Sequence, residues 1–304
     1  MVILDDVLLR RYRQRTFRLE PGLRLRHVAA ARAFVEERGF IFFWPIGGIP
    51  FPSLWTATAG DRPVADAHDD PGHITWTWKD QALDKGWWYY AKVLRGKATL
   101  IALDVVPAFY ALSENYGDPQ HDYLDQYRDG LLSYEARVIY ETLLERGPLD
   151  TVNLRRLVHM TGSGTGFETA LTHLQRDFKI LPVGVAPTGA WRYSFVYDCT
   201  HRRYPDLPEK ARLLSRRQAR RQLVSRYLDA MGAGTVAEMR RLFGWSADEV
   251  ATALDDLQAA AEACGGYRLL PGSEEVWVGA ALKAELERAD DVREDRLVSA
   301  VVRS

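Results

Sequence analysis

The residues best suited to proton chemistry lie between positions 68 and 80, where His68, Asp69, Asp70, His73, Lys79 and Asp80 alternate with Trp76 and Trp78. A carboxylate pressed against indole rings loses water, which raises its pKa and suits it to proton transfer. On that ground Asp69, Asp70 and Asp80 are the candidate catalytic carboxylates. A local reading competes with this one and is preferred: Asp69-Asp70-Pro71-Gly72 is strong turn chemistry and can cap a helix. The spacing of His68, Asp69 and His73 matches no established ligand pattern, so no metal site is expected.

Six of the nine tryptophans, Trp44, Trp55, Trp76, Trp78, Trp87 and Trp88, fall between positions 44 and 88. Trp44 and Trp55 stand in the apolar stretch GFIFFWPIGGIPFPSLW and read as core or as the wall of a base pocket. The alternation Ile74-Thr75-Trp76-Thr77-Trp78 reads as a strand with both indoles on one side. Adjacent Trp87 and Trp88 cannot easily both be buried in an extended segment. Flat, partly exposed rings beside Lys79, Lys92, Arg95 and Lys97 suit an extruded base or an unpaired strand.

These residues need elements to hold them. Leu25 to Arg38 reads as a helix closed by Gly39, FIFFW as a buried strand, SLWTATA as the start of a helix, and VLRGKATLIAL as a strand with its approach. From Ser133 a clearer pattern begins. Val138, Ile139, Leu143 and Leu144 recur at helical spacing up to Gly147-Pro148; a short helix carries Leu154, Leu157 and Val158; a third carries Phe167, Ala170, Leu171, Leu174 and Phe178 inward; and ILPVGVA and WRYSFVY alternate as a hairpin. About eighty-four residues later it returns, LRRLV matched by MRRLF and FETALTHL by VATALDDL, again ending in a hairpin. The expected fold is α+β: tandem winged helices behind an irregular, Trp-rich α/β N-terminal region. The expected division is 1–130 for a winged-helix-like α/β unit, 131–200 and 201–282 for two winged helices, and 283–304 for a charged tail.

The third helix of such a unit lies in the DNA major groove. In the first clear copy its outward positions are Thr165, Thr169, Thr172, His173, Arg176 and Lys179, which suit DNA. The later copy offers Asp248, Glu249, Asp255 and Asp256, which repel phosphate. The helix before it, SRRQARRQLVSRYL, is therefore the better phosphate contact there, through Arg216, Arg217, Arg220 and Arg221. The bland alternative is a solvated face balanced by the acidic tail from Glu285 to Asp295.

A formal net charge of −1 gives no global attraction to nucleic acid, so binding must use local patches. The two cysteines show no zinc or redox spacing, no apolar run reaches the ~20 residues of a membrane span, and the opening residues do not read as a signal peptide. A cytoplasmic protein without membrane contact or small-molecule cofactor is expected.

The order of elements, with FPSLWTATAG and VLRGKATLIALDVVPAFYAL, resembles the tandem winged-helix DNA glycosylases of the AlkZ and YcaQ type, which excise bases joined in interstrand crosslinks or bulky alkylated bases. Phe51, Leu54 and Trp55 stand at that family's Tyr-x-x-Leu-Trp stretch, and Arg95, Gly96, Thr99 and Leu100 at its Arg-Gly-Thr-Leu-His stretch. The resemblance implies duplex DNA as partner and N-glycosidic hydrolysis as activity. It also marks a departure. Placed on the shared Leu-Trp, the family's Gln-x-Gln or Gln-x-Asp signature falls on Phe43 and Pro45, and Ile101 stands for its His. Neither Phe43 nor Pro45 can orient a water, so a repair-related DNA binder, with base excision open, is the first expectation. The alternatives are a regulator that has lost the catalytic pair, and a small-molecule-binding protein that uses winged helices as packing units.

Overall fold

The computed structural model describes residues 2–162, 164 and 166–289; Thr165 and most of the acidic tail lie outside the described residues. One order of elements occurs three times: helix, short strand, two helices, then two strands. The first repeat comprises Val28–Arg38, Phe40–Phe42, Leu54–Ala59, Ile74–Leu83, Tyr89–Ala91 and Thr99–Ile101. The second comprises Tyr134–Arg146, Leu149–Asp150, Thr151–Leu157, Gly166–Arg176, Ile180–Ala186 and Ser194–Cys199. The third comprises Arg216–Met231, Ala233–Gly234, Val236–Phe243, Ala247–Ala259, Ala263–Arg268 and Glu275–Gly279. In each, the last strand lies between the other two and pairs antiparallel with both. Val2–Ile3 extends the third sheet by pairing parallel to Ala263–Arg268.

Local chemistry accounts for the boundaries. All three helices of the third repeat begin on a capping box, Ser215 with Gln218, Thr235 with Glu238 and Ser246 with Glu249. Each side-chain cap contributes about 1 kcal/mol by satisfying an otherwise orphaned N–H. The helix Val28–Arg38 ends at Gly39, whose φ of 80° an L side chain rarely adopts.

The segment from Ile74 to Trp78 corrects the expected strand. It is the start of the helix Ile74–Leu83, which buries Thr75, Trp78, Lys79, Ala82 and Leu83, the i, i+3, i+4 spacing of one helix face. Five alternating residues were too short a window against the helix formers that follow.

The first and third repeats do not bury separate cores. Phe51 of the first stacks on Tyr227 of the third at 5.8 Å and 4° between planes, and Phe40 meets Phe243 edge-on at 5.9 Å. Most buried residues of these two repeats form one continuous core, while Ala233, Val276 and Val278 of the third pack in a smaller cluster with Leu4, Leu9, Tyr12 and Leu282. The second repeat has its own, around Ile139, Leu143, Leu154, Phe167, Leu174 and Tyr197; among its buried residues described, Phe178 and Leu181 join the larger core. Residues 280–289 are helical, and Glu285 pairs with Arg15 at 2.5 Å. No helix among the described residues is long and apolar enough to cross a membrane.

Candidate nucleic-acid interface

The Trp-rich region closes into a joint. The buried face of Ile74–Leu83 carries the Lys79 ammonium into a ring of aromatics, 4.4 Å from the centroid of Phe195, 4.7 Å from Trp76, 5.3 Å from Tyr193, 5.6 Å from Tyr90 and 6.0 Å from Phe43. Nζ donates to Asp80 Oδ1 at 2.5 Å and to the Tyr193 hydroxyl at 2.7 Å. Lys79 is 0% exposed, so it is not placed to meet a phosphate. Its burial lowers its pKa, against the pull of Asp80. Trp55, Trp78 and Trp88 are core, while Trp44, Trp76 and Trp87 are half-buried. The expected open stacking surface is thus a packed contact between the first and second repeats. The indoles bury more apolar area there than an exposed platform would leave dry.

The three aspartates are not gathered at one point. Asp70 caps the turn Pro71–His73 by accepting from the Gly72 N–H at 2.8 Å, as turn chemistry predicts, and pairs with Arg62 at 2.6 Å. The bond from Arg62, then that from Gly72, holds its carboxyl below the usual range. Asp69 is exposed, and Asp80 is half-buried against Lys79 and Tyr193. No group of three His, Cys, Asp or Glu side chains among the described residues is placed to hold a metal.

The arginine-rich helix is engaged by acids. Arg217 forms a two-bond fork with Asp256, Nε at 2.7 Å and a terminal nitrogen at 2.6 Å; Arg216 reaches Glu114 at 3.0 Å and Arg226 reaches Asp104 at 3.3 Å. Arg220 pairs with Glu249 and Arg221 with Glu262. The arginines expected to face phosphate are thus engaged by acids, while Arg216 and Arg217 stay exposed. Two of the four acids on Ala247–Ala259, Glu249 and Asp256, neutralise Arg220 and Arg217 of the helix it packs against. Lys179 is likewise buried, donating to Asn115 Oδ1 at 2.9 Å, and desolvation brings its pKa down to about 8.

Two of the cations that stay exposed, Arg95 and Arg176, line a cavity of about 640 Å³ to which all three repeats contribute. The first supplies Leu94 and Arg95, the second Thr172 and Arg176, the third Phe243 and Trp245, with Phe109, Leu112 and Ser113 from the segment between the first two. Arg95 is exposed, takes no hydrogen bond or ion pair among the described residues, and sits at φ 56°, ψ 24°. A left-handed non-glycine residue costs of order 1 kcal/mol and persists where its surroundings impose it. Arg95 reaches toward the backbone of Gly244, so that a Cβ built there would lie 3.2 Å from its guanidinium. Trp245 is stacked on Phe243 at 4.2 Å, and Arg176 is held lightly by Asp177 at 3.2 Å. Thr169 is exposed on the same helix as Arg176, and His173 pairs with Asp177 at 2.8 Å. Sequence reasoning found Arg95 and Arg176 but missed Trp245, whose FGW context gave no sign that it meets residues some 150 positions earlier.

The family model described as AlkZ related matches residues 25–244. The chain belongs to the AlkZ-related family. No curated protein matches this AlkZ-related sequence. Among solved structures, Streptomyces sahachiroi DNA glycosylase AlkZ is similar in fold, with a TM-score of 0.60 at 13% identity over 94% of this chain and 72% of that one. In this AlkZ-related chain Phe43 is buried against Trp44, Trp76 and Tyr90, and Ile101 is fully buried in its strand. With Pro45, none of the positions that depart from the AlkZ-type signature carries a hydrogen-bonding side chain.

Proposed function

We propose that this AlkZ-related chain is a DNA-binding protein of DNA repair, built as three tandem winged helices that hold duplex DNA with the first two. The observation that carries this reading is the partition of its cations. Arg216, Arg217, Arg220, Arg221 and Arg226 are each paired with an acid, which leaves that helix of the third repeat less free to meet phosphate. Arg95 and Lys97, on the hairpin turn of the first repeat, and Thr169 and Arg176, on the third helix of the second, are exposed. A third helix in the major groove with a basic hairpin turn beside it is how a winged helix meets DNA. Phe43 and Pro45 supply no group to orient water, so the reading is binding, without base excision from that signature.

Titration of fluorescent duplex DNA across a salt series tests it. Binding should weaken steeply with salt, and Arg95→Ala and Arg176→Ala should each lower the slope of log K against log[salt] by about 1, while Arg217→Ala leaves it unchanged. Absence of binding at low salt would remove the reading.

A further inference from the structure

The cavity between the repeats joins the two arginines assigned to duplex phosphate with apolar walls that duplex binding does not use. It pairs an unengaged guanidinium, Arg95, and a lightly held one, Arg176, with apolar walls from Phe109, Leu112, Phe243 and Trp245. Its volume of about 640 Å³ is in the range of small-ligand pockets and exceeds what side-chain packing leaves by accident. Cations beside aromatic and aliphatic side chains match a phosphate joined to a planar heterocycle. From these walls and the open approach to them we propose that the cavity receives one nucleotide swung out of the duplex, its phosphate against Arg95 and Arg176 and its base against the Trp245 and Phe243 side. The proposal rests on the DNA-binding reading.

Two features support it. Arg95 is held in a left-handed conformation beside Gly96, also left-handed at φ 65°, and a Cβ on Gly96 would come within 3.2 Å of Thr172. The turn is thus pressed close to the second repeat, which sets the Arg95 backbone at the edge of the cavity with its side chain exposed. The walls also come from three places far apart in sequence, so the site exists only when the repeats are assembled.

The same chemistry is offered by a free mononucleotide, and the experiment separates the two sources. Affinities are measured for a matched duplex and for the same duplex with one mispaired purine, with and without millimolar dGMP. Unpairing costs a few kcal/mol and costs least at a mismatch, so the protein should bind the mispaired duplex at least about tenfold more tightly. Thr172→Trp, which fills the cavity and leaves both arginines in place, should bind both duplexes with the matched-duplex affinity. Ser113→Trp, on a different wall, should do the same and guards against a folding defect in the first variant. Equal affinity of the unaltered protein for the two duplexes overturns the proposal while leaving the DNA-binding reading intact, as does a filled variant that keeps the preference. Millimolar dGMP should lower the preference for the mispaired duplex, because both would occupy the one cavity; tight dGMP binding by a protein that shows no duplex preference would assign the cavity to free nucleotides and overturn it. Failure to bind either duplex removes the DNA-binding reading itself.

Discussion

Tyr193 donates its phenol hydrogen to Asp80 at 2.9 Å across 113 residues of chain, and the same carboxylate oxygen takes the Lys79 ammonium. This bond fastens the hairpin of the second repeat to the third helix of the first. Removing the acid leaves a buried ammonium with one neutral partner, and Asp80→Ala should cost about 2–4 kcal/mol. Lys79→Met keeps the volume and removes the charge, and should stay within about 1 kcal/mol of the parent. Urea midpoints decide it: equal stability of Asp80→Ala and the parent would show that Lys79 does not depend on its acid.

The arginine clamp on the third repeat should be uneven. Arg217 is 67% exposed at its side chain, so Arg217→Ala should cost less than about 1 kcal/mol despite its forked pair with Asp256. Arg220 is 18% exposed, lies over Trp245 at 5.7 Å and pairs with Glu249. Arg220→Ala should cost about 1–3 kcal/mol. Thermal unfolding of the two variants side by side is the check, and a reversed order would defeat this account.

Gly72 has no room for a side chain. A Cβ there would lie 2.8 Å from Cη2 and Cζ3 of Trp55, a ring with 0% exposure. Gly72→Ala should therefore destabilise by about 1–3 kcal/mol through overpacking. Since Asp70 caps this same turn, the variant should also show a changed near-ultraviolet tryptophan spectrum.

Lys179 contributes stability that grows with pH between about 8 and 10.5, set against the buried tyrosines and Cys199, whose raised pKa values remove stability as pH passes 9 to 10. Burial lowers the Lys179 pKa from 10.5 to about 8, so between those values the folded chain has released a proton that the unfolded chain still binds. With more protons bound unfolded than folded, this group's contribution to the unfolding free energy increases with pH across that window. The rise from this residue is on the order of 2–3 kcal/mol, and Lys179→Met should lack it. Lys79 shifts in the same direction and keeps its own contribution in the variant. Identical pH profiles for the two proteins would rule the explanation out.

The second and third repeats were legible because each helix buries a regular apolar face. Phe167, Ala170, Leu171 and Leu174 repeat in Val250, Ala253, Leu254 and Leu257, all buried. The first repeat was legible only in pieces, since its strands are three residues long and its third helix opens on alternating Thr and Trp. The site was less legible still. Charge counts along the chain marked Arg216 to Arg226 as a phosphate surface, but the acids that engage them lie as much as 122 positions away. Arg95 was visible through its Arg-Gly neighbour, whereas Trp245 and Ser113 join it through packing between repeats, which local pattern does not encode.

The shared core of the first and third repeats has a mechanical consequence. With Phe51 stacked on Tyr227 and Phe40 against Phe243, those two repeats behave as one block, while the second repeat keeps a core of its own. The second repeat meets that block along a broad seam: Phe178 and Leu181 join its core, Tyr193 bonds Asp80, and the Lys92 N–H donates to Gln175. Arg95 and Trp245 belong to the block and Thr172 and Arg176 to the second repeat, so the width of the cavity is set by that seam and not by either core.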